Sequence, residues 1–385
     1  MHNKNINISL FVILSITTLA VFTKNFYNEI LQKYLNNPDF FQIFFSDFYL
    51  IFAGSEILSE GNNPYKEWIK INKSPFFNPP IVFYFFKFIT NFAYSEVVKF
   101  WLIFLSISFI SIPVILFKIF KTDLKFVYIF LISFGGLSAS VFLTGNLSVI
   151  LYALFATSLF FLSKGKEHFF YIILSILSLI KFPYLIFFGI PFLLNGLKKN
   201  ILIMAFFYLI IVASIYFLYF YFNNELFISW LNSLKLSQSI GDGGDFGRGI
   251  FRILDSYFLS DGYSRYIFYF IISTSLFIFL IFLFEKSEIL NGERNKSLAI
   301  AFSIVAMTIL LPRLKSYDVL IAIPPLFYII QTLSFKISKN FESLIKFFLF
   351  LMLFCWTSPY APISLCSIIF LIFSLDLKFN FIDKE

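Results

Sequence analysis

What most limits the folds open to this chain is the recurrence of uncharged apolar runs long enough to cross a bilayer. "WLIFLSISFISIPVILF", "ILIMAFFYLIIVASIYFLYFYF" and "YIFYFIISTSLFIFLIFLF" are three of them. A helix rises about 1.5 Å per residue, so about 20 apolar residues match a hydrocarbon core about 30 Å thick. Such a segment has no polar face to offer water, and in lipid a helix satisfies its own backbone. About a dozen segments meet this criterion. The expected fold class is therefore all-α, a polytopic transmembrane helical bundle of about 10 to 13 spans, with residues 1–385 forming a single integral membrane domain. Composition agrees, with 59% hydrophobic and 14% charged residues and a mean hydropathy of +0.84. The 61 Phe residues read as hydrocarbon filling, since Phe replaces Leu in lipid at little cost. The first apolar run, after "MHNKN", reads as a retained helix.

Basic residues orient the chain, because Lys and Arg collect in cytoplasmic loops. Clusters at Lys118/Lys121/Lys125, Lys164/Lys166, Lys198/Lys199, Lys286/Arg294/Lys296, Lys336/Lys339/Lys346 and Lys378/Lys384 are placed inside. The turns "TGN", "KFPY", "PRLKSYD" and "TSPY" then lie outside, together with two long loops, residues 25–79 and 223–262. The first loop carries the candidate catalytic acid and the second is a possible lid. The net charge of +8 is thus a topology signal, and nucleic acid is not an expected partner. One span resists this scheme: if residues 81–94 crossed the membrane, Lys118, Lys121 and Lys125 would emerge outside. That segment re-enters, lies at the interface, or breaks the rule.

Several side chains could carry chemistry. Asp47, in "FFSDFYLIFAGSEILSEGNNPY", is an acid near the membrane boundary, where ionisable groups are costly and usually functional. It reads equally as a proton-abstracting base or as a solvated cap of a surface helix. The Gly/Asn/Pro run after it ends a helical stretch. Lys181 sits between apolar runs at the outer turn of a hairpin, placed either for a phosphate or for lipid headgroups. Arg313, Lys315, Tyr317 and Asp318 form a basic outer turn, suited to a substrate's phosphate oxygens or serving as a pair of lipid-phosphate anchors with Asp318 as partner. Arg248 and Arg252 follow a Gly-rich stretch that could wrap a phosphate or sugar. Asn146 in "TGN" is more often a cap than a ligand. His2 and His168 are the only histidines, so a histidine-based zinc site is not expected, and Cys355 and Cys366 suggest neither a disulfide framework nor a metal site.

Taken in order, "SDFYLIFAGSEILSEGNNPY", "FFNPPIVFYFF", "TGNLSVILYALF", "SLIKFPYLIFFGIPFLL" and "LLPRLKSYDVLIAIPPL" resemble the polytopic glycosyltransferases of the GT-C class. The chain is most similar to the bacterial mannosyltransferase-like family called DUF2029 or glycosyltransferase family 87. The resemblance spans nearly the whole chain. It implies a GT-C-like fold with surface helices in the first outer loop, and Asp47 as the catalytic base of an inverting hexosyl transfer. The donor would be a sugar, mannose or another hexose or pentose, carried on a polyprenyl phosphate. The acceptor would be a lipid or glycan hydroxyl on the outer face of a bacterial cytoplasmic membrane. Tyr65 and Asn78, in the first two motifs, complete the expected substrate contacts. No cofactor is expected and a divalent metal is not required. The turn "PRLKSYD" stands where other members place a histidine-bearing turn, which leaves the sugar open. A lipid-linked glycan flippase or transporter, and an envelope glycan polymerase or ligase, are the alternatives.

Overall fold

The computed structural model describes residues 45–72, 75–121, 144–240, 264–287, 296–312 and 321–332. The first apolar run, Arg248 and Arg252, and the turn residues Arg313, Lys315, Tyr317 and Asp318 lie outside the described residues. Among the described residues the regular elements are helices, without strands. Three helices among the described residues are long and apolar enough to cross a membrane: Tyr94–Phe120, Lys199–Phe222 and Tyr266–Lys286. On all three, large apolar side chains stay exposed, among them Phe100, Ile107, Phe206, Phe217, Phe270 and Ile278. A protein surface in water does not tolerate such stripes, whereas lipid does.

The chain divides into two compact units: Met1–Thr157 with Leu179–Lys181 and Ala213–Ile240, and Ser158–Ser178 with Phe182–Val212 and Gly241–Glu385. In the first unit, α1 (Ser46–Ser59) is followed by α2 (Pro64–Asn72), α3 (Pro80–Phe86), a 3-10 turn (Lys87–Asn91) and α4 (Tyr94–Phe120). Helix α5 (Ser148–Ser163) begins in this unit and ends in the second. Helix α1 is apolar around most of its circumference, and protein covers it accordingly: Phe48, Ile51, Phe52, Ala53, Gly54, Ser55 and Leu58 are buried. It stops at Ser59, where Gly61 turns left-handed at φ 83°, and Pro64 opens α2. The core beneath joins Ala53 and Leu58 to Tyr65, Trp68, Phe76 and Phe83.

Residues 81–94 do not form one crossing helix. Seven α-helical residues and a five-residue 3-10 turn extend about 20 Å, short of the roughly 30 Å hydrocarbon core. Helix α4 places Lys118 and Lys121 at the end opposite Tyr94.

The second unit takes in most of α6 (Glu167–Ile180), a 3-10 stretch (Phe182–Gly189), α7 (Ile190–Asn195) and the first half of α8 (Lys199–Phe222). The rest of α8 and α9 (Asn224–Ile240) belong to the first unit, while α10 (Ser264–Lys286), α11 (Lys296–Ile309) and α12 (Ile323–Thr332) complete the second. Every residue of α11 from Leu298 to Ile309 is buried, the fate of a helix without a polar face. Tyr269 on α10 donates its hydroxyl hydrogen bond to the Leu310 carbonyl.

Candidate functional site

The first unit builds a polar site where α1 starts. Phe45 precedes the helix in left-handed geometry, φ 81°, and Asp47 lies in the first turn, where helical N–H groups favour a carboxylate. The backbone N–H groups of Asp47 and Phe48 are not left to water: both donate to the Thr144 carbonyl, at 2.9 and 3.3 Å. This joins the start of α1 to the turn before α5. From that turn Asn146 donates through Nδ2 to Asp47 Oδ2 at 2.7 Å. The orientation of the Asn146 amide follows from its other end, because its Oδ1 accepts the Ser148 N–H at 2.8 Å and only the oxygen can accept. Asn146 therefore closes an Asx turn one residue ahead of the N-cap position of α5 and is also a partner of Asp47. Both side chains are half-buried, and among the described residues Asp47 Oδ1 has no hydrogen-bond partner.

Aromatic packing surrounds this cluster. Phe48 is fully buried and stacks on Trp101 of α4, with ring centroids 4.2 Å apart and planes 13° apart. Trp101 Nε1 donates to the Gly145 carbonyl at 2.9 Å. Tyr94 donates its hydroxyl to the Phe45 carbonyl at 3.3 Å. Gly145 has φ 65°, and a Cβ there would collide with the Phe45 ring and press on Phe48 Cβ. Glycine is thus what lets the turn approach α1 closely enough for Asn146 to reach Asp47.

The other described candidates sit elsewhere in this unit. Tyr65 is buried in the aromatic core, and its hydroxyl donates to the Asn78 backbone carbonyl at 2.6 Å. Burial pushes this phenol well above its ordinary value, so it stays a neutral donor. Asn78 enters this bond through its backbone, not its amide. Lys181 is half-buried at the bend between α6 and the following 3-10 stretch. Leu179, two residues earlier, helps line an apolar groove with Pro79, Pro80, Ile81 and Tyr216. Tyr216 donates to the Leu179 carbonyl at 3.1 Å. Among the described residues no three His, Cys, Asp or Glu side chains meet as a metal-binding group.

The two outer loops expected from sequence are tied together by residues the sequence did not single out. Asn63 Nδ2 donates to Ser229 Oγ at 3.0 Å, and Lys66 Nζ bonds Glu225 Oε1 at 2.7 Å. Trp230 and Ser233 of α9 donate to the carbonyls of Phe77 and Phe76, at 3.2 and 2.7 Å. Thr144, Gly145 and Trp101 were likewise missed as site-building residues. A Gly-Asn pair just before a helix is a local signal for the turn, but the reach of Trp101 across 44 residues has none.

Compared with protein-family models, curated proteins and solved structures, the chain matches none.

Proposed function

We propose that this protein is a membrane glycosyltransferase of GT-C type, built as a polytopic bundle, that moves a sugar from a polyprenyl phosphate to a hydroxyl of a lipid or glycan. The observation that carries this reading is the Asp47 carboxylate: one oxygen is fixed by Asn146, the other is unpartnered among the described residues, and the start of α1 is anchored to the Thr144 turn. An oriented carboxylate with one oxygen to offer is what a general base requires. The acceptor hydroxyl donates to Asp47 Oδ1 and gives up its proton as its oxygen attacks C1 of the sugar. The bond from C1 to the phosphate oxygen breaks on the opposite side, so the configuration at C1 inverts. The polyprenyl phosphate leaves with the electron pair. Lys181 is the cation assigned to the charge developing on that phosphate.

Charge placement supports an outward-facing site in a bacterial cytoplasmic membrane. Helix α4 begins at Tyr94, whose hydroxyl reaches the Phe45 carbonyl beside the site, and carries Lys118 and Lys121 at its other end, in agreement with a basic end lying inside. The test is transfer of labelled sugar from a polyprenyl-phosphate donor pool by membranes containing the wild type beside Asp47→Asn at equal expression. Transfer by the wild type alone is expected, and normal transfer by the variant would remove Asp47 as the base.

A further inference from the structure

The segment from Pro80 to Phe92 has two faces with opposite fates. Val82, Phe83 and Phe86 are buried, and Phe86 packs edge-on against Phe48, with centroids 6.4 Å apart, and against Trp101, at 5.6 Å. On the other side Phe85, Phe88 and Phe92 are 67%, 61% and 58% exposed, with Tyr84 and Lys87 beside them. An aromatic face this open is not a water surface. Nor can the segment cross a bilayer, being about 20 Å long.

Its height is fixed at both ends. After Phe92 the chain enters the span Tyr94–Phe120 within two residues. Earlier in the segment, the Tyr84 hydroxyl donates to Asn223 Oδ1 at 3.3 Å, and Asn223 directly follows the span Lys199–Phe222. That second span ends in Tyr221 and Phe222, both strongly exposed. The exposed rings therefore gather where two membrane-spanning helices stop, the level at which aromatic belts and snorkelling lysines lie. The turn is also equipped to be there: its Lys87 and Phe88 carbonyls accept from the Thr90 hydroxyl and the Asn91 amide, so they do not depend on water.

We propose that Pro80–Phe92 is a lipid-seated shelf, its aromatic face resting in the boundary between headgroups and acyl chains. The partner is the bilayer interface itself. Through Phe86 the shelf also sets the depth of the Phe48–Trp101 stack, and with it that of Asp47. Nothing in this inference rests on the sugar-transfer reading.

Nitroxide depth measurements on the full chain in liposomes test it. Phe85→Cys and Phe88→Cys would be labelled singly in a Cys355→Ser/Cys366→Ser background and compared with labels at Glu60→Cys, Phe222→Cys and Ile107→Cys. Glu60 follows the exposed end of α1, Phe222 ends a span, and Ile107 is exposed midway along α4. Two label sites guard against one variant failing to fold. The expected result is that both shelf labels collide with oxygen relative to a nickel chelate several-fold more than the Glu60 label, match the Phe222 label, and lie shallower than Ile107. A nickel-dominated signal like that at Glu60 would place the shelf in water. A depth equal to Ile107 would make the segment re-entrant, and shielding from both reagents would mean that protein covers it. Any of these three overturns the proposal.

Discussion

Asn146 Nδ2 and Asp47 Oδ2 meet at 2.7 Å across 99 residues of sequence. The contact depends on the Asn146 amide being oriented by Ser148, on the left-handed Gly145, and on the Thr144 carbonyl that receives two N–H groups from the start of α1. Asn146 thus acts through Asp47, as a positioning residue for the proposed base.

Asn146→Ala removes a hydrogen bond to a charged group, worth about 1.5–3 kcal/mol. If that bond serves mainly to aim the carboxylate, kcat falls roughly 10- to 100-fold with KM little changed. Steady-state transfer assays on the purified variant would show it. A rise in KM at unchanged kcat would assign Asn146 to substrate binding instead.

Gly145→Ala and Gly61→Ala form a controlled pair. Both residues have positive φ, 65° and 83°, and a side chain in that region costs about 1–2 kcal/mol. A Cβ at Gly61 meets open space, whereas one at Gly145 strikes Phe45. Thermal unfolding in detergent should show the larger loss for Gly145→Ala, and only that variant should also lose transfer.

Tyr65→Phe leaves the Asn78 carbonyl without its donor inside the core, at a cost of about 1–3 kcal/mol. Reduced thermal stability with near-normal transfer per folded molecule is expected. Loss of transfer at unchanged stability would return Tyr65 to the substrate contacts.

Lys66 and Glu225 join α2 to α9. The hydrogen bond from Lys66, and then its charge, hold the Glu225 carboxyl below its ordinary value of 4.5. A depressed folded-state value means the stabilisation is present above the unfolded value and is lost as pH falls through the folded one. Lys66→Ala should therefore lower the melting temperature slightly near about pH 7, with the loss fading as pH falls through the folded-state value of Glu225. Both side chains are exposed, so the difference should be small and shrink in salt.

The helical, membrane-spanning character of the chain was legible because it depends on run length and hydropathy alone, as in Tyr94–Phe120. The end of α1 was legible too, since Gly61 and Pro64 act locally. The depth of α1 was less so: a stretch apolar all round with a few acids suits a surface helix as well as a covered one, and only the packing of Phe76, Phe83 and Trp68 decides for cover. The fate of residues 81–94 hinged on a change from α to 3-10 geometry at Lys87, which hydropathy does not register. In the site, Asp47 and Asn146 could each be picked out by type and position. Their meeting could not, because it requires a long-range approach of two backbones through Gly145 and Trp101.

The central claim is that Asp47 takes a proton during sugar transfer. The most direct measurement is single-turnover transfer of radiolabelled sugar from a polyprenyl-phosphate donor by the purified protein in liposomes, for wild type and Asp47→Asn. The variant's melting curve serves as the folding control. Asn keeps the shape and the contact with Asn146 while removing the basic oxygen, so the account expects wild-type transfer, an intact melt and at least roughly 100-fold slower transfer by the variant. Equal transfer by both would contradict the base assignment, and no transfer by either while the donor lipid crosses the bilayer would contradict the enzyme reading altogether.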